Sequence, residues 1–199
     1  MRRTIIIEEP AQACYNPFMT GETQNSCGTC TVCCKALRIV EFDKPAGVMC
    51  QHCTGTGCGI YETRYETCKG FLCGWRILPQ LGEDWRPDRS GVLMLLMEAK
   101  DLPEEHAAAG NGVQFLILGG EKAILRPGFA EYVMTLVTRN VAVYLSADSP
   151  KTLINKYLRP SVTAKNKAAV IDMLLHIYRQ HVGYRDLNKW TPLPWVDMP

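Results

Sequence analysis

The second half of the chain contains three apolar runs of strand length. They lie at residues 91–98 (GVLMLLME), 113–120 (VQFLILGG) and 141–147 (VAVYLSA), and segments containing glycine or proline separate them. Short apolar runs bounded in this way are typical of buried strands. We therefore predict three strands, of which the first two pair antiparallel.

Two further stretches have the periodicity of an amphipathic helix. Residues 128–139 follow Pro127 and predict one helix. A second helix is expected to start near Thr163, which can serve as its N-terminal cap. Its predicted apolar face is formed by Val170, Ile171, Leu174, Leu175, Tyr178 and Val182. Residues 85–182 are therefore expected to form an α+β core with an antiparallel sheet and a C-terminal helix.

The first part of the chain lacks this periodicity and is dominated by cysteine. Residues 27–80 hold nine of the ten cysteines and are expected to form a small metal-stabilised module packed on the α+β core. Residues 1–26 combine a strand-like run at 4–8 with several turn formers and are interpreted as an N-terminal arm. Residues 183–199 contain three prolines and are interpreted as an extended tail.

The amino-terminal sequence bears on the oxidation state of these cysteines. MRRTIIIEEP lacks the apolar stretch of about 7–15 residues that a secretory signal contains. A cytoplasmic location is therefore expected, where thiols stay reduced. Cysteines separated by two residues allow one short loop to point two thiolates at one metal ion. The predicted metal ligands are Cys27, Cys30, Cys33, Cys34, Cys50, Cys53, Cys58, Cys68 and Cys73.

Details of the spacing refine this prediction. Cys33 and Cys34 are adjacent and cannot both bond one ion without crowding the backbone, so two neighbouring metal sites are expected. His52 lies between two cysteines and is interpreted as a hydrogen-bonding or surface residue rather than a ligand. Cys14 has no partner at ligand spacing and is expected to be an idle or buried thiol. Four bases are candidates to offset thiolate charge: Lys35, Arg38, Arg64 and Lys69.

Composition and charge exclude some partners. The hydrophobic fraction of 47% and the charged fraction of 21% are typical of a soluble globular protein. No apolar run approaches the ~20 residues of a membrane span, so no membrane partner is expected. The net charge is +2, but residues 151–199 carry eight bases against three acids. These bases form no dense run, so nucleic acid is not favoured as a partner, and the sequence identifies no protein partner.

The order of the cysteines resembles that of a known family. Four elements are similar to the YkgJ-type cysteine-cluster family, to which zinc or iron chelation is ascribed. They are the C-x2-C-x2-C-C run at 27–34, the cysteines with glycines at 50–58, the C-x-I-Y-x-x-R landmark and the C-x4-C pair at 68–73. Cys53, in a C-x-H-C element, matches one branch of that family. Tyr65 departs from the pattern, which has proline after the arginine. The resemblance covers residues 27–75 and implies a bound zinc or iron ion but no reaction.

An iron–sulfur protein acting as a redox or enzyme component is the alternative. Cys27, Cys30 and Cys33 match the first three positions of a ferredoxin-type run, although the fourth cysteine follows immediately instead of after three residues. A third hypothesis is a thiol oxidoreductase that uses Cys50 and Cys53. The chain contains no phosphate-binding loop, nucleophile elbow or zinc-protease motif, so no catalytic residue is assigned.

The distribution of apolar residues predicts how the two parts depend on a metal. A module of about 50 residues with few large apolar side chains needs metal or disulfides to be stable. Removal of metal is therefore expected to unfold residues 27–75, while residues 88–182 keep their secondary structure.

Overall fold

The computed structural model describes residues 25–147 and 150–187, the last four of them as backbone only. The predicted strand at 4–8, Cys14 and the three prolines of the predicted tail lie outside the described residues. Among the described helices, none combines the length and the apolar character needed to cross a membrane.

Nine α-helices lie within the described residues, most of them short. They are α1 (Val32–Ala36), α2 (Glu66–Gly70), α3 (Gly74–Ile77), α4 (Pro87–Ser90), α5 (Glu104–Ala107), α6 (Glu121–Leu125), α7 (Phe129–Thr138), α8 (Asn155–Thr163) and α9 (Lys167–Leu187). Short 3₁₀ turns occur at Val40–Phe42, Tyr61–Thr63, Glu83–Trp85 and Ala99–Asp101. The three longest helices, α7 to α9, all lie in the second half of the chain, and α7 confirms the helix predicted at 128–139.

Four strands form one sheet in the order β1-β2-β3-β4. They are β1 (Val92–Glu98), β2 (Asn111–Ile117), β3 (Ala142–Ser146) and β4 (Thr152–Leu153). β1 pairs antiparallel with β2, with Met94 opposite Phe115, which confirms the predicted pairing. The third predicted strand is also present, as β3.

The sheet is mixed, and the prediction of an antiparallel sheet is wrong. β2 and β3 run parallel, with Val113 opposite Val143, whereas β3 and β4 run antiparallel. The reason is the connection between β2 and β3, which contains α6 and α7. A helical crossover returns the chain to the end of the sheet where it started, so the next strand runs in the same direction.

The last helix, α9, has the predicted apolar face, but it begins at Lys167 instead of near Thr163. Thr163 is the last residue of α8 and does not cap the following helix. The start of α9 is stabilised by Asn166, whose Oδ1 accepts a hydrogen bond from the Ala169 amide at 3.1 Å. α9 then continues to Leu187, beyond the predicted end of the core at residue 182. The predicted face is buried at Val170, Leu174, Leu175 and Tyr178 and partly buried at Ile171 and Val182.

One hydrophobic core connects the sheet, the long helices and the cysteine-rich segment. Phe115 of β2 and Phe129 of α7 are fully buried, and their ring centroids are 5.2 Å apart. Four residues of the cysteine-rich segment belong to the same core: Val32, Ala36, Cys73 and Trp75. The cysteine-rich segment is therefore joined to the sheet by continuous apolar packing.

Trp75 of α3 lies at this junction. Its side chain is 2% exposed, and its Nε1 donates a hydrogen bond to the Gly82 carbonyl at 3.0 Å. Its own carbonyl accepts a hydrogen bond from the Asn25 side chain at 2.7 Å. Because a buried tryptophan removes a large apolar surface from water, it fixes the position of the chain that directly follows Cys73.

Candidate metal centre

The first cysteine loop ends in α1. Cys27 and Cys30 lie in a turn in which the Cys30 amide donates to the Cys27 carbonyl at 2.9 Å. Gly28 in this turn has a φ of 52°, a left-handed conformation that glycine adopts without strain. Cys33 and Cys34 follow on α1. As neighbours on a helix, they project in different directions from its axis.

The second cysteine loop folds back onto α1. The Cys50 amide donates a hydrogen bond to the Cys34 carbonyl at 3.0 Å. Cys53 and Cys58 lie opposite each other in an isolated antiparallel bridge, and the chain between them turns at Gly55, which has a φ of 87°. These contacts bring three cysteines of the second loop next to the end of α1.

The last two cysteines lie at two short helices. Cys68 is part of α2, and Cys73 directly precedes α3. The carboxylate of Glu41 accepts hydrogen bonds from both the amide and the hydroxyl of Thr67, each at 2.8 Å. This pair of bonds fixes α2, and with it Cys68, to the connector between the first two cysteine loops.

Eight of the nine described cysteines line a single cavity of about 110 Å³. They are Cys27, Cys30, Cys33, Cys34, Cys50, Cys58, Cys68 and Cys73. Cys53 is the exception. All nine are free thiols. The rest of the lining is largely apolar and includes Val32, Leu37, Ile39 and Trp75.

The main electrostatic interactions between thiols of the described residues fall into two groups. In the first thiol group, Cys73 interacts with both Cys27 and Cys30. In the second thiol group, Cys34 interacts with Cys33 and Cys53, and Cys68 interacts with Cys34, Cys50 and Cys58.

The first thiol group lies beside the carboxylate of Asp88. The Cys30 side chain hydrogen-bonds to Asp88, which also accepts two hydrogen bonds from the Arg86 guanidinium at 2.7 and 3.0 Å. Burial raises the pKa of the Cys30 thiol to about 11 and raises the pKa of Cys73. Burial opposes ionisation of Asp88 as well, but the hydrogen bonds from Arg86 hold its pKa below the ordinary value. At neutral pH, Cys30 and Cys73 are therefore protonated next to an ion pair.

The second thiol group is centred on Cys34. Its side chain hydrogen-bonds to those of Cys33 and Cys53, and the contact with Cys33, together with burial, raises the pKa of Cys34. Burial raises the pKa of Cys68, and ionisation of Cys50 or Cys34 would raise it further. These two thiols also hold their protons at neutral pH.

Lys44 is a buried cation beside the second thiol group. Its side chain is almost fully enclosed, with 4% of the residue exposed. Its Nζ donates hydrogen bonds to the carbonyl of Leu37 and to those of Lys35 and Pro45, at 3.3 and 3.1 Å. Burial lowers the pKa of Lys44, and the charges of Cys50 and the neighbouring thiols act in the opposite direction.

The bases that the sequence singled out differ in their placement, and Arg76, which it did not single out, also lines the cavity. Arg64 lines the cavity and lies over the ring of Tyr61, with its guanidinium carbon 3.7 Å from the ring centroid. Lys69 forms an exposed ion pair with Glu66 at 2.8 Å, and Arg38 is exposed. Sequence reasoning therefore missed Lys44, and it also missed Asp88, which lies fifteen positions after the last cysteine. No local pattern marks either residue, because their role depends on how the loops fold.

The described ring contacts of His52 are with two aromatic residues. Its ring centroid is 5.9 Å from that of Phe42 and 6.0 Å from that of Tyr65. Its Nε2 lies 3.3 Å from the Gln51 amide nitrogen. The interpretation of His52 as a hydrogen-bonding or surface residue rather than a ligand stays a prediction.

The donor atoms of the cavity suit a thiophilic metal by their chemistry. Thiolate sulfur is a preferred ligand of zinc and of iron in iron–sulfur clusters. In the part of the chain that the structure describes, no set of three or more His, Cys, Asp or Glu side chains is arranged so that it could hold a metal ion. The described thiols are thus gathered around one space without forming a coordination geometry.

Comparison of the chain with protein-family models, with curated proteins and with solved structures finds no match.

Proposed function

We propose that the cysteine-lined cavity binds zinc or iron through thiolate ligands and that the protein is a metal-binding, cysteine-cluster protein. The observation that carries this proposal is the convergence of eight free thiols, from three separate loops, on one cavity. Sulfur donors gathered in this way are the donor set that a thiophilic metal prefers. Because free thiols at this density persist only where disulfides are reduced, we place the protein in a reducing compartment such as the cytoplasm.

We propose two metal equivalents, each with ligands from one of the two thiol groups. The first thiol group would hold one ion with Cys27, Cys30 and Cys73. The second would hold the other with ligands drawn from Cys33, Cys34, Cys50, Cys53, Cys58 and Cys68. Cys33 and Cys34 both fall in the second group, so only one of them would bind that ion directly, because two adjacent cysteines cannot both bond one ion without crowding the backbone.

Metal uptake would require the thiols to lose protons and to converge. Four thiols with raised pKa values hold protons at neutral pH, so metal binding would release protons and would be favoured by higher pH. The turns at Gly28 and Gly55 have positive φ, which suits the close wrapping of backbone around ligated sulfur. A bound zinc or iron ion would supply the charge that offsets the thiolates.

An iron–sulfur cluster of the ferredoxin type has less support. That arrangement would use Cys27, Cys30 and Cys33 together. In a ferredoxin-type run the fourth cysteine follows after three further residues, whereas in this chain Cys34 follows Cys33 immediately.

Elemental analysis of protein purified without oxygen tests the proposal. We expect about two equivalents of zinc or iron per chain, and the absorption spectrum separates the alternatives because Zn²⁺ has no visible colour whereas an iron–sulfur cluster is brown. Protein that contains neither metal, and in which all ten thiols react freely with an alkylating reagent, would refute the proposal.

A further inference from the structure

Cys53 and Cys58 face each other across a small antiparallel hairpin, where they form an isolated bridge. The amides of Thr54 and Gly59, one on each side of this pair, donate hydrogen bonds to carbonyls of the opposite chain segment at 3.0 and 2.8 Å. Because these hydrogen bonds flank the two cysteines, the cysteines occupy a non-hydrogen-bonded position of the antiparallel pair. Side chains that lie opposite each other are closest at such a position.

This position has the spacing that a disulfide needs. The Cα atoms of a non-hydrogen-bonded antiparallel pair are about 4.5 Å apart. A disulfide joins residues whose Cα atoms are about 4.4–6.8 Å apart. The two side chains also project from the same face of the hairpin, because residues directly opposite each other share a face. A bond between the sulfurs of Cys53 and Cys58 therefore requires little movement of the backbone.

The hairpin is open to small molecules. Both of its cysteines are partly exposed, and residues 54–56 of the turn between them are exposed. A Cβ placed on Gly55 would meet no described atom within 4 Å. Cys50, which forms a C-x-x-C pair with Cys53 in the sequence, is instead buried, with 8% of the residue exposed. The exposure therefore favours Cys53 and Cys58 over Cys50 and Cys53 as the pair that reacts with an external disulfide.

We propose that Cys53 and Cys58 form a reversible cross-strand disulfide by reaction with a low-molecular-weight disulfide such as glutathione disulfide. The sulfur of one cysteine attacks glutathione disulfide, which forms a mixed disulfide and releases one reduced glutathione. The sulfur of the other cysteine then displaces the bound glutathione. The net reaction oxidises two protein thiols to one disulfide and reduces one glutathione disulfide to two glutathione molecules, whose sulfurs receive the two thiol protons.

The disulfide would control the second metal site, a consequence that rests on the proposed function. It withdraws two sulfurs from the candidate ligands of the second thiol group. The thiols that remain are Cys33, Cys34, Cys50 and Cys68, and only one of the adjacent pair would bind the ion. Three ligands are then left where a closed zinc site uses four. Oxidation of the hairpin would therefore release this ion, and bound zinc would protect the hairpin from oxidation.

The first measurement is peptide mass spectrometry of metal-free protein treated with glutathione disulfide in the absence of oxygen, and it does not depend on the proposed function. After alkylation of the remaining thiols, trypsin yields a peptide, residues 39–64, that contains only Cys50, Cys53 and Cys58 as cysteines. We expect this peptide to lose the two thiol hydrogens and to be alkylated at Cys50 alone. Cys50→Ser is the matched control and should form the same disulfide, whereas Cys58→Ser should stop at a mixed disulfide between Cys53 and glutathione.

Three results for the wild-type peptide would overturn the inference. They are alkylation of all three of its cysteines, a disulfide between Cys50 and Cys53, and a disulfide that joins the peptide to Cys34, whose side chain hydrogen-bonds to Cys53. The wild-type protein decides the pairing by itself, so the result stands even if a variant does not fold.

The second measurement compares zinc binding by the reduced and the oxidised wild type, determined by competition with a chelator. We expect the oxidised protein to bind about one zinc equivalent less than the reduced protein, and dithiothreitol to restore that equivalent. A reduced protein without zinc affinity would refute the proposed function and leave the disulfide as the first measurement assigns it. Equal zinc binding by the two forms would instead refute the control of the second metal site by the hairpin.

Discussion

Cys34 contacts thiols from two different loops. Its side chain hydrogen-bonds to Cys33 on the same helix and to Cys53 on the second loop, and its carbonyl accepts a hydrogen bond from the Cys50 amide. Loss of this sulfur would remove the member of the second thiol group that joins the others.

We predict that Cys34→Ser lowers the metal content of anaerobically purified protein by about one of the two proposed equivalents. Serine keeps the size of the side chain but replaces a soft sulfur ligand with a hydroxyl. Elemental analysis provides the measurement. Cys14→Ser is the control and should leave metal content unchanged, and a loss of metal in that variant would show that the N-terminal segment contributes a ligand.

Cys30 gives a prediction about pH. Burial raises the pKa of its thiol from 9.0 to about 11, so the folded protein holds this proton more tightly than the unfolded chain does. The resulting contribution to stability is complete below about pH 9 and is lost as the pH rises towards 11. We predict that the free energy of unfolding of the metal-free protein decreases between about pH 9 and about pH 11, as measured by urea denaturation.

The control for this prediction is Cys30→Ala, in which the decrease should be smaller. A decrease remains expected in that variant because burial acts in the same direction on Cys68 and Cys73. Identical pH profiles for Cys30→Ala and the wild type would contradict the raised pKa of Cys30.

At the scale of single residues, the sequence indicated which cysteines lie close together but not where the charged side chains lie. The spacing of the cysteines predicted a shared site, and eight of them line one cavity. The bases predicted to offset their charge include Lys69, which instead pairs with Glu66. Lys44 could not be identified, because its burial depends on the bridge between Ile39 and Lys44 and on carbonyls brought close by folding.

At the scale of elements, the sequence predicted strands and long helices but not strand direction. Apolar runs identify buried strands whichever way they point, so the parallel pairing of β2 and β3 could not be read from them. Helix α8 was missed because Pro160 lies inside it and breaks the helical pattern. The two-residue strand β4 is too short to give a pattern at all.

The approach of α3 to β1 depends on the absence of a side chain at Gly74. A Cβ placed there would lie 2.6 Å from the Met94 sulfur and 2.7 Å from its Cγ. We predict that Gly74→Ala lowers the free energy of unfolding by about 1–3 kcal/mol, the usual cost of overpacking a core. Denaturant unfolding of the metal-bound and metal-free proteins would measure it.

The double variant Gly74→Ala with Met94→Ala is the control for this clash. Removal of the methionine side chain makes room for the new methyl group, so the cost of the pair should be less than the sum of the single costs. Strict additivity would show that the two residues do not clash.

At the scale of the whole molecule, the cysteine-rich segment and the sheet share one hydrophobic core. Val32, Ala36, Cys73 and Trp75 belong to it, so the expected unfolding of all of residues 27–75 on metal removal needs revision. We predict that chelation removes amide hydrogen-exchange protection mainly from residues 50–68, whereas α3 and the sheet keep theirs, because burial in the core does not depend on metal. Hydrogen exchange with mass spectrometry would measure this difference, and equal loss in both regions would mean that they unfold as one cooperative unit.

The central claim is that thiolates of the cysteine-lined cavity bind a metal ion, and X-ray absorption at the zinc edge of anaerobically zinc-loaded protein tests it most directly. The account predicts a first shell composed mainly of sulfur, with about four ligands per zinc at about 2.3 Å. A first shell of nitrogen and oxygen alone at about 2.0–2.1 Å, or a protein that retains no zinc after desalting, would contradict it.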